Sequence, residues 1–290
     1  MTRQQTHQMA GHRESDGREA AAAFARSVLS RPMLAVSLKM YLGLQETYDW
    51  TRAIVDEVGA RNATAYVDVA IFPSYPALQT CRELTLKSGI EVGAQNVFWE
   101  DWGPYTGEVS GRLLRELGCA WVEVGHAERR RIFLETDRMA ASKVLAGHRN
   151  ELQSVVCVGE TSKRDAQGAA QECLVQVRSV LDVLPNGAPI VFAYEPTWAI
   201  GVDRPADPTH INSVLGIIHT ELRSHAQRLR WIYGGSAGTG LYRHLADHVD
   251  GLFLGRCAHD PRNFVKVLDE VLSTVTTSSR LALGSRTAHE

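Results

Sequence analysis

The chain has 290 residues, of which 44% are hydrophobic and 22% charged, and its formal net charge is −2. This composition is typical of a globular protein. The near-neutral charge gives no reason to expect nucleic acid or an anionic membrane as a partner, and no apolar run approaches the ~20 residues that span a bilayer. Five widely spaced cysteines without a CxxC pair argue against a zinc site or a disulfide framework. Together with the polar N-terminus, which has no signal-peptide core, they favour a cytoplasmic location.

The two ends of the chain differ in composition from its middle. Residues 1–31 are predicted to form an N-terminal extension, disordered at first and then helix-favouring over 19–29. Residues 276–290 are small and polar and are predicted to form a flexible tail. A single domain is therefore expected over residues 32–275.

Within this domain, short β-rich runs alternate with helix-patterned segments. This alternation indicates right-handed βαβ units and a parallel sheet, and eight units in about 240 residues fit a (β/α)₈ TIM barrel better than an open sheet. No GxGxxG motif follows the first strand, so a dinucleotide-binding fold is disfavoured. The predicted strands are 33–38, 65–72, 90–96, 121–124, 152–158, 190–194, 230–233 and 251–254, and the clearest helices are 47–58, 110–117, 136–148, 166–184, 208–229 and 261–275.

Polar residues collect just after the predicted strands. In a barrel these positions all meet at the C-terminal face, where catalytic groups are found. Each residue alone could serve a structural purpose, such as capping a turn or satisfying a carbonyl group. Their joint placement at one end favours a site. They are Lys39, Asn96, His126, Glu128, Glu195, the glycine-rich segment 234–236, and Gly255 with Arg256.

Several of these segments resemble triosephosphate isomerases. The most specific are residues 193–201 (AYEPTWAIG) and 125–130 (GHAERR). The others, in the order of that family, are LKM at 38–40, GAQN at 93–96, TGE at 106–108, CVGE at 157–160, YGGS at 233–236 and DG at 250–251.

The resemblance implies an aldose–ketose isomerase that moves a proton between adjacent carbons of a short phosphorylated ketose through an enediol(ate). Glu195 is then the base and His126 the electrophile at the carbonyl oxygen. Lys39 is a fixed cation that offsets the enediolate charge, and Glu128 pairs with Lys39. Residues 196–201 are then a lid that excludes water.

The resemblance also implies how the substrate is held. Backbone N–H groups of Gly201, Ser236, Gly255 and Arg256 would bind a phosphate group. No cofactor and no metal is expected, because a proton transfer of this kind involves no net redox change. A homodimer is expected, in which Thr106, on the loop 96–108, reaches the active site of the partner.

Four departures from the family pattern lie near the substrate. Ser37 stands where the family has an asparagine that contacts substrate oxygen, and Ala127 replaces a serine. Arg256 replaces a glycine, and the hinge after the lid reads VDR at 202–204. A smaller Ser37 would leave room for an extra hydroxymethylene group.

These departures favour a tetrulose (erythrulose) phosphate as substrate. The triose phosphates are the alternative, since Tyr41 and Arg256 could refill that space. A non-catalytic sugar-phosphate-binding barrel and an aldolase are two further readings. The aldolase is disfavoured because Glu195 stands where a Schiff-base lysine would be needed.

Overall fold

The computed structural model describes residues 31–202 and 205–284. The predicted extension up to residue 30, Asp203 and Arg204 of the lid hinge, and the last six residues lie outside the described residues. Within this range, eight strands pair in parallel in sequence order, and β1 also pairs with β8, which closes the sheet into a barrel. The strands are β1 (Met33–Ser37), β2 (Asp68–Phe72), β3 (Glu91–Ala94), β4 (Trp121–Val124), β5 (Gln153–Val158), β6 (Ile190–Tyr194), β7 (Leu229–Tyr233) and β8 (Gly251–Leu254).

Both faces of the barrel wall are buried, which explains why the strands are nearly continuous apolar runs. Alternate residues point inward and form a compact interior cluster that includes Met33, Phe72, Trp121 and Phe253. The outward-facing residues form a larger cluster with the surrounding helices. The helices are α1 (Leu44–Ala60), α2 (Leu78–Thr85), α3 (Gly111–Glu116), α4 (Ala127–Ile132), α5 (Asp137–Arg149), α6 (Ala166–Leu181), α7 (Pro208–Glu221), α8 (Tyr242–Leu245) and α9 (Pro261–Gly284).

The barrel prediction is confirmed, and all eight predicted strands are present with ends that shift by up to three residues. Helices α2, α4 and α8 were not predicted, because each is only four to eight residues long and shows too few turns for a periodic pattern. The helix predicted over 208–229 ends at Glu221, and a 3₁₀ segment, Arg223–Arg228, leads into β7.

One further difference concerns the last helix. Helix α9 continues to Gly284, so residues 276–284 of the predicted flexible tail are helical in the structure. No helix among the described residues is long and apolar enough to cross a bilayer.

Candidate active site

A pocket of about 510 Å³ opens at the C-terminal ends of the strands. Of the residues predicted for the site, it brings together Ser37, Lys39, His126, Glu128, Glu195, Gly201, Ser236, Gly255 and Arg256. Thr106 is not among its lining residues and lies exposed on the loop after β3. Asn96 does not line the pocket either. It accepts a hydrogen bond from the buried Lys143 at 2.8 Å, which ties the start of the loop 96–108 to helix α5.

Glu195 follows directly after β6 and is only 5% exposed. Its backbone N–H donates to the Val158 carbonyl at 2.8 Å, which continues the β5–β6 pairing by one residue and fixes the Cα position. Carboxylate oxygen Oε2 is buried without a hydrogen-bond partner among the described residues, and it lies 3.5 Å from His126 Nε2. A buried carboxylate oxygen is normally paired, so this one has its acceptor capacity free for a ligand or a proton.

Two glycines make room for Glu195. A Cβ atom on Gly234 would lie 2.7 Å from the Glu195 Cγ atom, and one on Gly159 would lie 2.6 Å from the Glu195 carbonyl carbon. Both distances are far inside van der Waals contact, so any larger residue would push the glutamate away. Gly159 and Gly234 therefore have a packing role beside Glu195.

His126 is the N-cap residue of α4 and is 6% exposed. Its Nδ1 accepts a hydrogen bond from the Glu128 backbone N–H at 3.1 Å. Since a nitrogen that accepts cannot also carry the proton, this hydrogen bond assigns the proton of a neutral ring to Nε2. Nε2 is the nitrogen that faces Glu195.

Lys39 lies two residues after β1 with a positive φ of 50°, a conformation that is strained for a residue with a side chain. The Gln95 side-chain amide donates to the carbonyls of Lys39 and Phe72, both at 2.9 Å, and holds this turn in place. The ammonium group contacts Glu128 Oε1 at 2.7 Å. Burial alone would lower the pKa of Lys39, but the hydrogen bond and the charge of Glu128 outweigh it and raise that pKa.

Glu123 was missed by the sequence interpretation. It lies on β4 between Val122 and Val124, is 3% exposed, and accepts a hydrogen bond from Ser37 Oγ at 2.9 Å. Burial raises its pKa to about 7, and the negative charge of Glu195 acts in the same direction. The signal in the sequence was a single carboxylate inside an otherwise apolar strand.

Segment 196–201, the predicted lid, is held against the barrel by several hydrogen bonds, among them the one from the Thr197 N–H to the Glu160 carbonyl at 3.0 Å. Ser236 Oγ lies 2.8 Å from the Ala199 carbonyl oxygen. Arg256 Nη2 donates to the Gly201 carbonyl at 2.8 Å, so this side chain reaches the tip of the lid. The Trp198 indole N–H donates to the buried Glu160 at 2.8 Å.

Fold and site together define a TIM-barrel enzyme with a carboxylate and an imidazole facing each other at the C-terminal ends of the strands. The family model for triosephosphate isomerase matches residues 32–271. The chain is 44% identical over 248 residues to the L-erythrulose-1-phosphate isomerase of Pectobacterium atrosepticum, covering 83% of this chain and 95% of that protein. It is 37% identical over 250 residues to the triosephosphate isomerase of Moorella thermoacetica, covering 83% and 99%.

A solved structure shows the same fold. The triosephosphate isomerase of Bartonella henselae superposes with a TM-score of 0.72 at 28% identity, covering 84% of this chain and 99% of that one. The chain belongs to the triosephosphate isomerase family and is an isomerase, as the resemblance implied.

Proposed function

We propose that this isomerase acts on L-erythrulose 1-phosphate, with Glu195 as the catalytic base. The observation that carries the role of Glu195 is its unpaired Oε2, 3.5 Å from His126 Nε2 in the lidded pocket. Two observations support this choice of substrate. A relative with 44% identity is named L-erythrulose-1-phosphate isomerase, and the small Ser37 lines the pocket.

The mechanism begins at carbon 3 of the substrate, next to the carbonyl carbon 2. Glu195 removes the proton from carbon 3, while the Nε2–H of His126 donates a hydrogen bond to the carbonyl oxygen. The Lys39 ammonium stabilises the enediolate that forms, and Glu128 keeps Lys39 in position through the 2.7 Å ion pair. His126 gives its Nε2 proton to the oxygen on carbon 2 and takes up the hydroxyl proton from carbon 3. Glu195 then returns its proton to carbon 2, which leaves the carbonyl group at carbon 3 with no net oxidation.

The product depends on what carbon 3 carries. In a triose phosphate, carbon 3 is terminal, so the transfer gives an aldose. In L-erythrulose 1-phosphate, carbon 3 bears a hydroxymethyl group, so the same transfer gives a second ketose with its phosphate at the far end.

The phosphate group of the substrate binds at the lid side of the pocket. Gly201, Ser236, Gly255 and Arg256 line this side and offer backbone N–H groups, to which Arg256 adds a positive charge. Lid closure over this end excludes water from the enediolate, which protects it from loss of phosphate.

Assays on the wild-type protein test the substrate. We expect kcat/KM for L-erythrulose 1-phosphate to exceed that for dihydroxyacetone phosphate and glyceraldehyde 3-phosphate. Triosephosphate isomerisation is the second candidate, favoured by the 37% identical relative. A triose rate near the diffusional range with an inert tetrulose phosphate would establish it instead.

A substitution tests the base. Glu195→Gln should lower kcat by about 10²–10⁴-fold, because the amide cannot accept the proton, while KM stays within a few-fold. Exchange of the substrate carbon-bound hydrogen in D₂O, followed by NMR, should stop in the same variant. A near-wild-type rate, or continued exchange, would end the assignment of Glu195.

The protein is also proposed to act as a homodimer in the cytoplasm. Large apolar side chains are exposed on the segments that follow β1, β3 and β4, for example Met40 at 93%, Trp102 at 69% and Phe133 at 60%. Such exposure is a liability for a monomer and suits an interface. The cysteines are free thiols, which supports a reducing compartment.

Sedimentation tests the dimer. We expect twice the chain mass of 32.0 kDa for the wild-type protein. Thr106→Arg, on the exposed loop proposed to enter the partner, should reduce both the association and kcat. A fully active monomer would contradict the proposal.

A further inference from the structure

A buried carboxyl group inside the barrel is not used by the mechanism above. Glu123 points inward, two residues after the inward-facing Trp121, and lies in the interior above the apolar cluster. Among the described residues, Ser37 is the only side chain that hydrogen bonds to its carboxyl group. One hydrogen bond to a serine does not by itself offset the desolvation of a carboxylate.

Glu123 is nevertheless part of the pocket. The buried polar side chains that line the pocket, within the described part of the chain, are Ser37, Glu123, His126 and Glu195. Two of them, His126 and Glu195, serve the carbonyl oxygen and the migrating proton. The remaining pair, Ser37 and Glu123, joins β1 to β4 across the barrel interior by their 2.9 Å hydrogen bond.

The chemistry of this pair matches one group of the proposed substrate. The phosphate is held at the lid side, and the reacting carbons lie at Glu195 and His126. A four-carbon substrate has one more polar group than a triose phosphate, a hydroxymethyl group on the carbon remote from the phosphate. A carboxylate accepts a hydrogen bond from an alcohol, and the serine hydroxyl beside it, which donates its own proton to Glu123, can accept another.

We propose that Glu123 and Ser37 form a hydroxyl-binding subsite that receives the terminal hydroxymethyl group of the four-carbon substrate and so determines specificity over triose phosphates. This inference rests on the proposed function, because it concerns the substrate group that distinguishes the two candidates. Glu123 contacts the substrate in this role but takes no part in the proton transfer.

Two variants at residue 123 test the subsite. Glu123→Leu removes the acceptor, and Glu123→Gln keeps an acceptor oxygen with nearly the same shape. Loss of a hydrogen bond to a charged group corresponds to about a 10- to 150-fold change. We therefore expect Glu123→Leu to lower kcat/KM for L-erythrulose 1-phosphate by that factor, and kcat/KM for dihydroxyacetone phosphate by less than about threefold.

The kcat/KM of Glu123→Gln for L-erythrulose 1-phosphate should lie between the values of the wild type and Glu123→Leu. If the leucine variant does not fold, Glu123→Gln serves as the test variant. Glu91→Gln is the matched control, because it makes the same change on β3 at the opposite end of the barrel, where Glu91 accepts a hydrogen bond from Trp121 Nε1 at 2.6 Å. This control should leave the ratio of the two kcat/KM values unchanged.

Unreactive inhibitors give a second readout. Erythritol 4-phosphate should bind more tightly than glycerol 3-phosphate to the wild type, and Glu123→Leu should abolish that preference. Equal losses for both substrates would overturn the subsite, since they would mean that Glu123 acts on Glu195 or His126. An unchanged ratio would overturn it too, with the proposed function intact. A wild-type enzyme that does not convert the tetrulose phosphate would refute both.

Discussion

The buried carboxyl group of Glu123 should make the stability of this barrel depend on pH, and Glu123→Gln should remove that dependence. Its pKa rises from 4.5 to about 7 in the folded protein, mainly through burial. Well below pH 4.5 the group is protonated in both states and opposes folding least. Between pH 4.5 and 7 the unfolded chain loses this proton while the folded protein keeps it, so the free energy of unfolding falls by about 3 kcal/mol across this window.

Glu123→Gln keeps the shape and the hydrogen-bonding partner but cannot ionise. Relative to wild type, we expect it to stabilise the protein by about 1 kcal/mol at pH 5 and about 3 kcal/mol at pH 8. For a domain of this size, that corresponds to a gain in Tm of about 2–4 °C at pH 5 and 6–12 °C at pH 8.

Differential scanning calorimetry at both pH values, at one protein concentration and one scan rate, measures the two gains. Glu91→Gln serves again as the control and should show no such difference between pH 5 and pH 8. An equal gain at both pH values, or a loss at pH 8, would show that Glu123 is not a carboxylate whose desolvation opposes folding.

The remaining predictions concern the proposed base, Glu195, and the proposed lid, residues 196–201. Gly234→Ala should lower kcat about 10- to 100-fold, since its Cβ would meet Glu195 Cγ at 2.7 Å and displace the base. Gly59→Ala in α1 is the control, because a Cβ there meets nothing within 4 Å and should leave activity unaltered. Equal kinetics in both variants would refute the packing argument. Arg256→Ala removes the 2.8 Å hydrogen bond to the Gly201 carbonyl. It should raise KM about 3- to 10-fold with little change in kcat, and an unchanged KM would mean that the lid does not depend on this contact.

Much of the fold could be predicted from local pattern, since each buried strand is a short apolar run bounded by turn residues. The short helix α4 could not, because its start depends on the His126 ring accepting from the Glu128 N–H, a contact that no periodicity reveals. The end of α9 was placed too early, because small polar residues weaken the pattern although the structure keeps them helical.

The residues of the site also fall into those that the sequence predicts and those that it does not. Groups directly after strands, such as Lys39 and Glu195, were found because the barrel brings all strand ends together. Glu123 lies inside a strand, where an inward and an outward residue differ only by register. Likewise, the contact between the Arg256 side chain and the Gly201 carbonyl depends on the conformation of two loops, so the sequence alone could not predict which way this side chain points.

The hydrogen bond between Ser37 and Glu123 joins residues 86 positions apart, on strands that are not neighbours in the barrel. The two positions therefore cannot change independently. A residue introduced at position 37 meets either a charged oxygen or an apolar side chain, depending on which residue stands at position 123. The effects of substitutions at these two sites should be strongly non-additive. A change of substrate in this barrel thus involves both positions, and the effect of replacing one depends on which residue stands at the other.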